Sequence, residues 1–245
     1  DGIDTEFFRR REVSREVSFL NVKIGPNTKV VTYASPGLES WRGFDIFMKA
    51  AGRLSKQFDD IVFLIAGEEL TQYGHEGRAV EPGTFKQYVL AQGDYDPAKF
   101  HFLGRITPSE LVSLFSISDV HVYLTVPFVV SWSLLQAMST ECAIVASQTP
   151  PVVEVCEDEK HGLLAGFYDD EAIAGRIASL LNDPQRARRV GPFRRAPRGR
   201  RGLGRRQRAR DRLDRRAERC REDDAAQRHL GPRADDRHAV GGGDA

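Results

Sequence analysis

Short apolar runs alternate with segments of helical periodicity along most of the chain. The runs are rich in β-branched and aromatic residues, whereas the segments between them repeat apolar residues every three or four positions. The runs predict six strands: Lys29–Ser35, Asp60–Gly67, Phe100–Gly104, Asp119–Leu124, Cys142–Ser147 and Gly162–Ala165. The segments predict helices at Phe44–Phe58, Thr84–Gln92, Thr107 onward, Ser131–Ser139, Pro151–Glu157 and Asp169–Asn182. This alternation indicates an α/β protein with a doubly wound parallel sheet.

The stretch from His121 to Ser147 organises the predicted sheet. It contains a strand, a loop, a helix and the next strand, which together form a βαβ unit whose strands are buried on both faces. Ligands of such sheets bind beyond the carboxyl ends of the strands. We therefore expect the loop Thr125–Ser133 and the start of the following helix to contact whatever the protein binds.

Composition divides the 245 residues into three parts. Residues 1–28 are polar and predict a linker that leads into the first strand, and residues 29–185 contain the predicted strands and helices. From residue 186 to the end, Arg fills about 20 of the 60 positions, and no apolar face with a helical or strand period survives. We call residues 186–245 the Arg-rich tail, and its composition does not predict a packed core.

Three interpretations of the Arg-rich tail remain open. Its residues are those encoded by G+C-rich codons, as expected for a gene read out of frame, and this is the favoured interpretation. Ordinary disorder is the second interpretation. The third is a nucleic-acid-binding arm, since clusters of Arg bind phosphate, but acidic residues are interspersed and no aromatic residue follows Phe193.

The net charge, the lengths of the apolar runs and the cysteine spacing give no sign of a membrane-spanning, disulfide-rich or zinc-binding protein. The formal net charge is +1, and no apolar run approaches the roughly 20 residues that span a bilayer. With no signal-peptide pattern either, we expect a cytoplasmic protein, or one peripheral to the inner face of the membrane. Cys142, Cys156 and Cys220 show no C-x-x-C spacing, so neither a disulfide framework nor a zinc site is predicted.

Five segments carry a recognisable family pattern: Asp1–Phe8, Gly37–Phe44, Phe102–Ile106, Pro127–Met138 and Thr149–Leu164. They resemble the C-terminal domain of family 4 (group 1) glycosyltransferases, the retaining GT-B enzymes that use nucleotide-sugar donors. The resemblance implies a Rossmann-like domain, one half of a GT-B fold, that binds a nucleoside-diphosphate sugar without a cofactor or a bound metal. It also implies that the N-terminal acceptor-binding domain lies upstream and is missing from this chain.

The resemblance places the diphosphate and the base of the donor at two loops. Gly37–Phe44 resembles a loop in which cations hold the diphosphate; Arg42 stands at the position of its Lys, beside Gly43 at a helix start. The position of the family's Arg is taken by Pro36, which cannot bind phosphate. The second loop contains Gly104, Arg105 and Ile106, and there the family's backbone lies beside the nucleotide base, an approach that Gly permits.

The resemblance places the ribose at the helix after the Thr125–Ser133 loop. Gln136 stands where the family's second Glu accepts hydrogen bonds from the ribose, and it still offers a carbonyl oxygen. Ser131 and Ser133, with free amides at the helix start, would bind phosphate or sugar oxygens. The family's first Glu, which is associated with the donor sugar, falls at Phe128. The residues expected in the helix core are Trp132, Leu134, Leu135 and Met138.

The predicted function is therefore that of the donor-binding half of a hexosyltransferase, which alone would be inactive. A non-catalytic relic is the alternative, favoured by Pro36, Gln136, Glu141 and the Arg-rich tail. Glu141 favours the relic because the family has Gly at this helix end, where a positive φ would strain a Glu. A nucleic-acid-binding protein is the less favoured third possibility.

Overall fold

The computed structural model describes residues 2–13, 22, 24–70, 73, 80 and 83–190. Residues 191–245 of the Arg-rich tail lie outside the described residues, so the three interpretations of the tail stay predictions.

Six parallel strands make up the sheet of the described residues. The strands are β1 (Lys29–Gly37), β2 (Ile61–Glu68), β3 (Phe100–Gly104), β4 (Val120–Tyr123), β5 (Ile144–Ser147) and β6 (Leu163–Ala165). Their order is β3-β2-β1-β4-β5-β6, so the doubly wound parallel sheet is confirmed. The order reverses between β1 and β4, which is the point where open sheets of this kind bind ligands.

Helices cover both faces of the sheet. They are α1 (Phe44–Gln57), α2 (Phe85–Leu90), α3 (Pro108–Ile117), α4 (Trp132–Ser139), α5 (Pro150–Val153), α6 (Asp170–Asn182) and α7 (Pro184–Val190), with a 3-10 helix at Ser40–Arg42. Residues of α1 and α6 form one hydrophobic cluster and residues of α3 and α4 form another, with Tyr33 in the first and Ala34 in the second. Because both faces of β1, β2, β4, β5 and β6 are largely buried, these strands were visible in the sequence as apolar runs, whereas the edge strand β3 is buried only at Phe100.

The start of α3 confirms a prediction made from the sequence. Thr107 caps the helix by accepting a hydrogen bond from the Glu110 amide at 3.3 Å, and the Thr107 amide donates to Glu110 Oε2 at 2.7 Å. Pro108 follows at the first helical position, where its missing amide hydrogen is not needed. The hydrogen bonds from Thr107 hold the pKa of the Glu110 carboxyl below its usual value.

Helix α7 was not predicted and extends the domain past residue 185. Pro184 opens the helix, and the Asp183 carboxylate accepts a hydrogen bond from the Arg186 amide at 2.9 Å. Arg186 also pairs with Glu159 at 2.7 Å, and Val190 at the helix end is buried. The helix was missed because its seven residues are too few to show a period, and its apolar contacts are supplied by the rest of the domain.

The segment predicted as a linker packs on the domain over part of its length. Phe8 is buried, and its carbonyl accepts a hydrogen bond from Ser139 at 2.6 Å. The Arg11 amide donates to Ser116 at 3.0 Å. The segment therefore lies across helices α3 and α4.

Helix α4 ends in the strained conformation predicted for Glu141. Glu141 has a φ of 58°, in the left-handed region. Its amide donates to the Met138 carbonyl at 3.2 Å, and the Cys142 amide donates to the Ala137 carbonyl at 3.1 Å. These two bonds form a Schellman motif, which normally has Gly at the left-handed position.

We expect Glu141→Gly to raise the free energy of unfolding by about 1 kcal/mol, because Gly removes the left-handed strain of an L-residue. Urea unfolding followed by circular dichroism measures the change. Glu159→Gly is the matched control, since Glu159 has a φ of 62° but its carboxylate pairs with Arg176 and Arg186. The gain at Glu159 should be smaller, because Gly also removes these ion pairs, and no gain at Glu141 would contradict the assignment of strain.

Candidate functional site

A cleft of about 440 Å³ opens at the carboxyl edge of the sheet. It lies over the ends of β1, β2 and β3 and beside the first turns of α4. Its lining residues are Ala34, Ser35, Pro36, Ala66, Gly67, Glu68, Gly104, Arg105, Ile106, Leu111, Ser131, Trp132, Ser133 and Gln136. Six of the eight residues predicted for the site therefore line one cleft, although they come from two separate segments of the chain.

Arg42, the residue predicted to hold the diphosphate, does not line this cleft. Its side chain is 4% exposed, and Nη1 donates to Thr125 Oγ1 at 3.3 Å. The guanidinium lies 5.3 Å from the centre of the Tyr73 ring, a cation–π contact. The Arg42 carbonyl accepts a hydrogen bond from the Tyr33 hydroxyl at 2.9 Å. Arg42 therefore joins the loop that follows β1 to the loop that follows β4.

Gly43 also lies outside the cleft and has a conformational function. It ends the 3-10 helix and begins α1 with a φ of 63°, in the left-handed region. A Cβ atom placed there would lie 2.8 Å from Leu124 Cβ and 3.0 Å from Phe167 Cε2. Glycine is required at this position by both the turn and the packing.

The start of α4 was predicted to offer free amides at Ser131 and Ser133, and the structure differs from this at Ser131. The Ser131 amide is not free, because it donates to the Tyr123 hydroxyl at 2.8 Å. Ser131 Oγ lies 2.6 Å from Ser133 Oγ and makes no capping bond to the helix. The first-turn amides that follow have no acceptor within the helix, and they carry the positive end of its dipole. This helix start is suited to an anionic oxygen.

Gly104 and Arg105 form the opposite wall. Gly104 has a φ of 63°, and the space where a Cβ would lie is open. The Arg105 side chain is 82% exposed, with Nη1 4.0 Å from Glu68 Oε2. At that exposure and distance the ion pair holds the guanidinium weakly. Arg105 is therefore a cation of the cleft that can turn toward an anionic ligand.

Trp132 was predicted in the helix core, and this prediction was wrong. Its side chain is 61% exposed and lines the cleft, whereas Leu134 and Met138 are buried as expected. Trp132 lies one turn before Gln136, and residues four apart share a helix face. That spacing was the available signal: a residue four positions before a proposed ligand contact belongs to the same face as the contact.

Metal and membrane features are absent from the described part of the chain. No group of three or more His, Cys, Asp or Glu side chains is placed there to hold a metal ion. No helix in the same part is long and apolar enough to cross a bilayer.

The sheet order, the two helical layers and the cleft at the carboxyl edge define a Rossmann-like domain, as found in each half of a GT-B protein. The chain belongs to the glycosyl transferases group 1 family, whose model matches residues 19–196. No curated protein sequence matches the chain significantly.

Solved structures of glycosyltransferases have the same fold. The C-terminal domain of a group 1 family protein (LpcC) from Francisella tularensis aligns with a TM-score of 0.62 and 20% identity, over 78% of this chain and 93% of that one. HepE from Anabaena, solved with UDP-glucose, aligns with a TM-score of 0.61 and 18% identity over 78% of this chain. Sucrose-phosphate synthase from Thermosynechococcus elongatus aligns with a TM-score of 0.60 and 22% identity, also over 78% of this chain. The aligned region spans 49% of the HepE chain and 44% of the synthase chain.

Proposed function

We propose that this chain is the donor-binding half of a retaining glycosyltransferase, which moves a hexosyl group from a nucleoside-diphosphate sugar to an acceptor. The observation that carries the proposal is the cleft at the switch point of the sheet, which combines an open helix start, an exposed cation and a glycine-containing wall. Membership of the group 1 family and the UDP-glucose bound by HepE support it.

Each part of the donor has a complementary surface in this proposal. The base lies against the backbone of Gly104, Arg105 and Ile106, and the Gln136 side-chain oxygen accepts a hydrogen bond from a ribose hydroxyl. The diphosphate lies at the first turn of α4, where the helix dipole and Arg105 both favour negative charge. The leaving diphosphate gains charge as the glycosidic bond breaks, so these groups stabilise the transition state more than the ground state.

The acceptor and the catalytic step belong to the second half of the enzyme in this proposal. Because the chain spans about half the length of HepE, we expect it to bind donor without transferring the sugar. Its location, cytoplasmic or at the inner face of the membrane, stays a prediction of the sequence.

The alternative is a relic that folds but binds no donor. Pro36 lines the cleft at the position where the resemblance expects an Arg, and Gln136 replaces an ionised carboxylate. The burial of Arg42 adds to this alternative, because the guanidinium is engaged with Thr125 and Tyr73. Failure of every nucleoside diphosphate to bind would establish the relic.

Calorimetry with UDP and GDP tests the proposal. We expect at least one of them to bind, and Arg105→Ala to weaken it at least about 10-fold, since a hydrogen bond to a charged group contributes about 1.5 kcal/mol or more. Arg53→Ala is the matched control, because Arg53 pairs with Asp170 on helices away from the cleft. No heat from either nucleotide at millimolar concentration would overturn the proposal, whereas an unchanged affinity in Arg105→Ala would remove Arg105 from the site.

A further inference from the structure

A carboxylate that the proposed function does not use lies in the cleft at the end of β2. Glu68 is the last residue of β2 and lines the cleft together with Gly104 and Arg105. Its side chain is 38% exposed, and its Oε2 atom lies 4.0 Å from Arg105 Nη1. An exposed ion pair at this distance contributes little to stability, so the Glu68 carboxylate is available to a ligand.

The sheet fixes the position of Glu68 in the cleft. The Leu38 amide donates to the Glu68 carbonyl at 3.0 Å, which ties this residue to the end of β1. On the other side of β2, Ala66 pairs with Gly104 of β3. The Glu68 carboxylate therefore lies beside the loop that follows β3, and the proposed function places the donor base against that loop.

The negative charge of Glu68 orients a nucleoside diphosphate in the cleft. A carboxylate repels phosphate groups, whereas the first turn of α4, on another wall of the cleft, attracts them. A nucleotide is therefore most stable with its diphosphate toward α4 and its base toward the ends of β2 and β3. In that orientation an edge of the base meets the Glu68 carboxylate.

Guanine is the base whose hydrogen-bonding edge complements a carboxylate. An ionised carboxylate accepts hydrogen bonds and donates none. Guanine carries two adjacent donors on its Watson–Crick edge, N1–H and the N2 amine, which can bond to the two carboxylate oxygens in parallel. Uracil carries one donor, N3–H, between two carbonyl oxygens that a carboxylate repels. Adenine and cytosine each have a ring-nitrogen acceptor beside their amine, which a carboxylate also repels.

We propose that Glu68 recognises the base of the donor and selects a guanosine-diphosphate sugar. This role rests on the proposed function and refines the class of its donor substrate. Glu68 contacts the base and takes no part in the transfer of the sugar. When its carboxylate bonds to guanine, the weak ion pair with Arg105 is released, and the guanidinium is able to turn toward the diphosphate.

Calorimetry on the full chain with GDP, UDP and inosine diphosphate tests the role of Glu68. Inosine diphosphate is GDP without the N2 amine, so it lacks one of the two donors. We expect GDP to bind at least about 10-fold more tightly than either of the others, the factor that one hydrogen bond to a charged group supports. Equal affinity for GDP and inosine diphosphate, or UDP bound as tightly as GDP, would overturn the selection of guanine.

Variants of Glu68 assign the selection to its carboxylate. Glu68→Ala removes both acceptor oxygens, so GDP and inosine diphosphate should bind alike, while UDP should bind no more weakly than before. Glu68→Gln places an amide donor beside one acceptor, a pair that complements uracil N3–H and O4, so the preference for GDP over UDP should fall at least about 10-fold. Glu69→Gln is the matched control and should keep the preference, because the Glu69 carboxylate pairs with Lys86 at 2.6 Å outside the cleft.

The outcomes separate the role of Glu68 from the proposed function. A loss of affinity for GDP with UDP affinity retained is not an effect on folding, which would weaken both nucleotides. A preference for GDP over inosine diphosphate that survives Glu68→Ala would overturn the role of Glu68 and leave the proposed function standing. If neither UDP nor GDP binds, the proposed function fails and the role of Glu68 fails with it.

Discussion

Gly43→Ala should lower the free energy of unfolding by about 2–4 kcal/mol. The left-handed conformation accounts for about 1 kcal/mol of the loss, because an L-residue is strained at this φ. Overpacking accounts for about 1–3 kcal/mol more, since the new methyl group would lie 2.8 Å from Leu124 and 3.0 Å from Phe167, both buried in the core. Leu124 lies directly after β4 and Phe167 lies between β6 and α6, so the new methyl group would press on two separate loops.

Denaturant unfolding measures this change, and Gly175→Ala is the matched control. Gly175 lies within α6, and a Cβ placed there meets no atom within 4 Å. Because Ala favours a helix interior, the control should stabilise the domain by about 0.5–1 kcal/mol. The same Gly→Ala change should therefore lower the free energy of unfolding at position 43 and raise it at position 175. A stable Gly43→Ala protein would show that the turn between the 3-10 helix and α1 can relax.

Lowering the pH from 6.5 to 5 should destabilise the domain by about 2 kcal/mol through His121 alone. His121 is fully buried on β4, with Nδ1 3.0 Å from Thr32 Oγ1 and its ring against Phe115. Burial lowers its pKa to about 3, and hydrogen bonding with Thr32 acts weakly in the opposite direction. The unfolded chain binds a proton near pH 6.5 that the folded chain does not accept, so stability falls by about 1.4 kcal/mol per pH unit below that point.

The slope of stability against pH between 6.5 and 5 measures the effect of His121. His121→Gln removes the titrating group, so that its contribution to the slope should vanish even if the variant is less stable throughout. A slope that is the same in wild type and in His121→Gln would contradict a neutral buried imidazole.

Local patterns in the sequence were sufficient to predict the sheet. Strands β1, β2, β4, β5 and β6 are largely buried on both faces, so their apolar runs are nearly continuous, whereas the edge strand β3 is buried only at Phe100. The cap at Thr107 and the strain at Glu141 were also predicted, because both depend on residues within one turn of a helix. The family pattern then predicted three segments for the ligand, of which those around Gly104–Ile106 and Ser131–Gln136 line the cleft.

The placement of side chains in those loops was decided by tertiary structure. Arg42 was predicted to hold the diphosphate, but it is buried because Thr125 and Tyr73, distant in sequence, pack on it. Trp132 was predicted as core because it is apolar, yet its side chain is exposed and lines the cleft. Arg105, whose neighbours leave it open, is the cation that remains in the cleft.

The stretch from His121 to Ser147 shows what the sequence predicted by itself and what depended on the tertiary structure. Its sequence alone determined a βαβ unit and placed a loop at the carboxyl end of β4, because strand length, helix period and chain direction are local properties. Only the folded structure decided that Ser131, Trp132 and Gln136 face the cleft, while the Phe128 ring packs against Trp41 and Tyr73. Those contacts join segments that are far apart in the chain, and no local period records them.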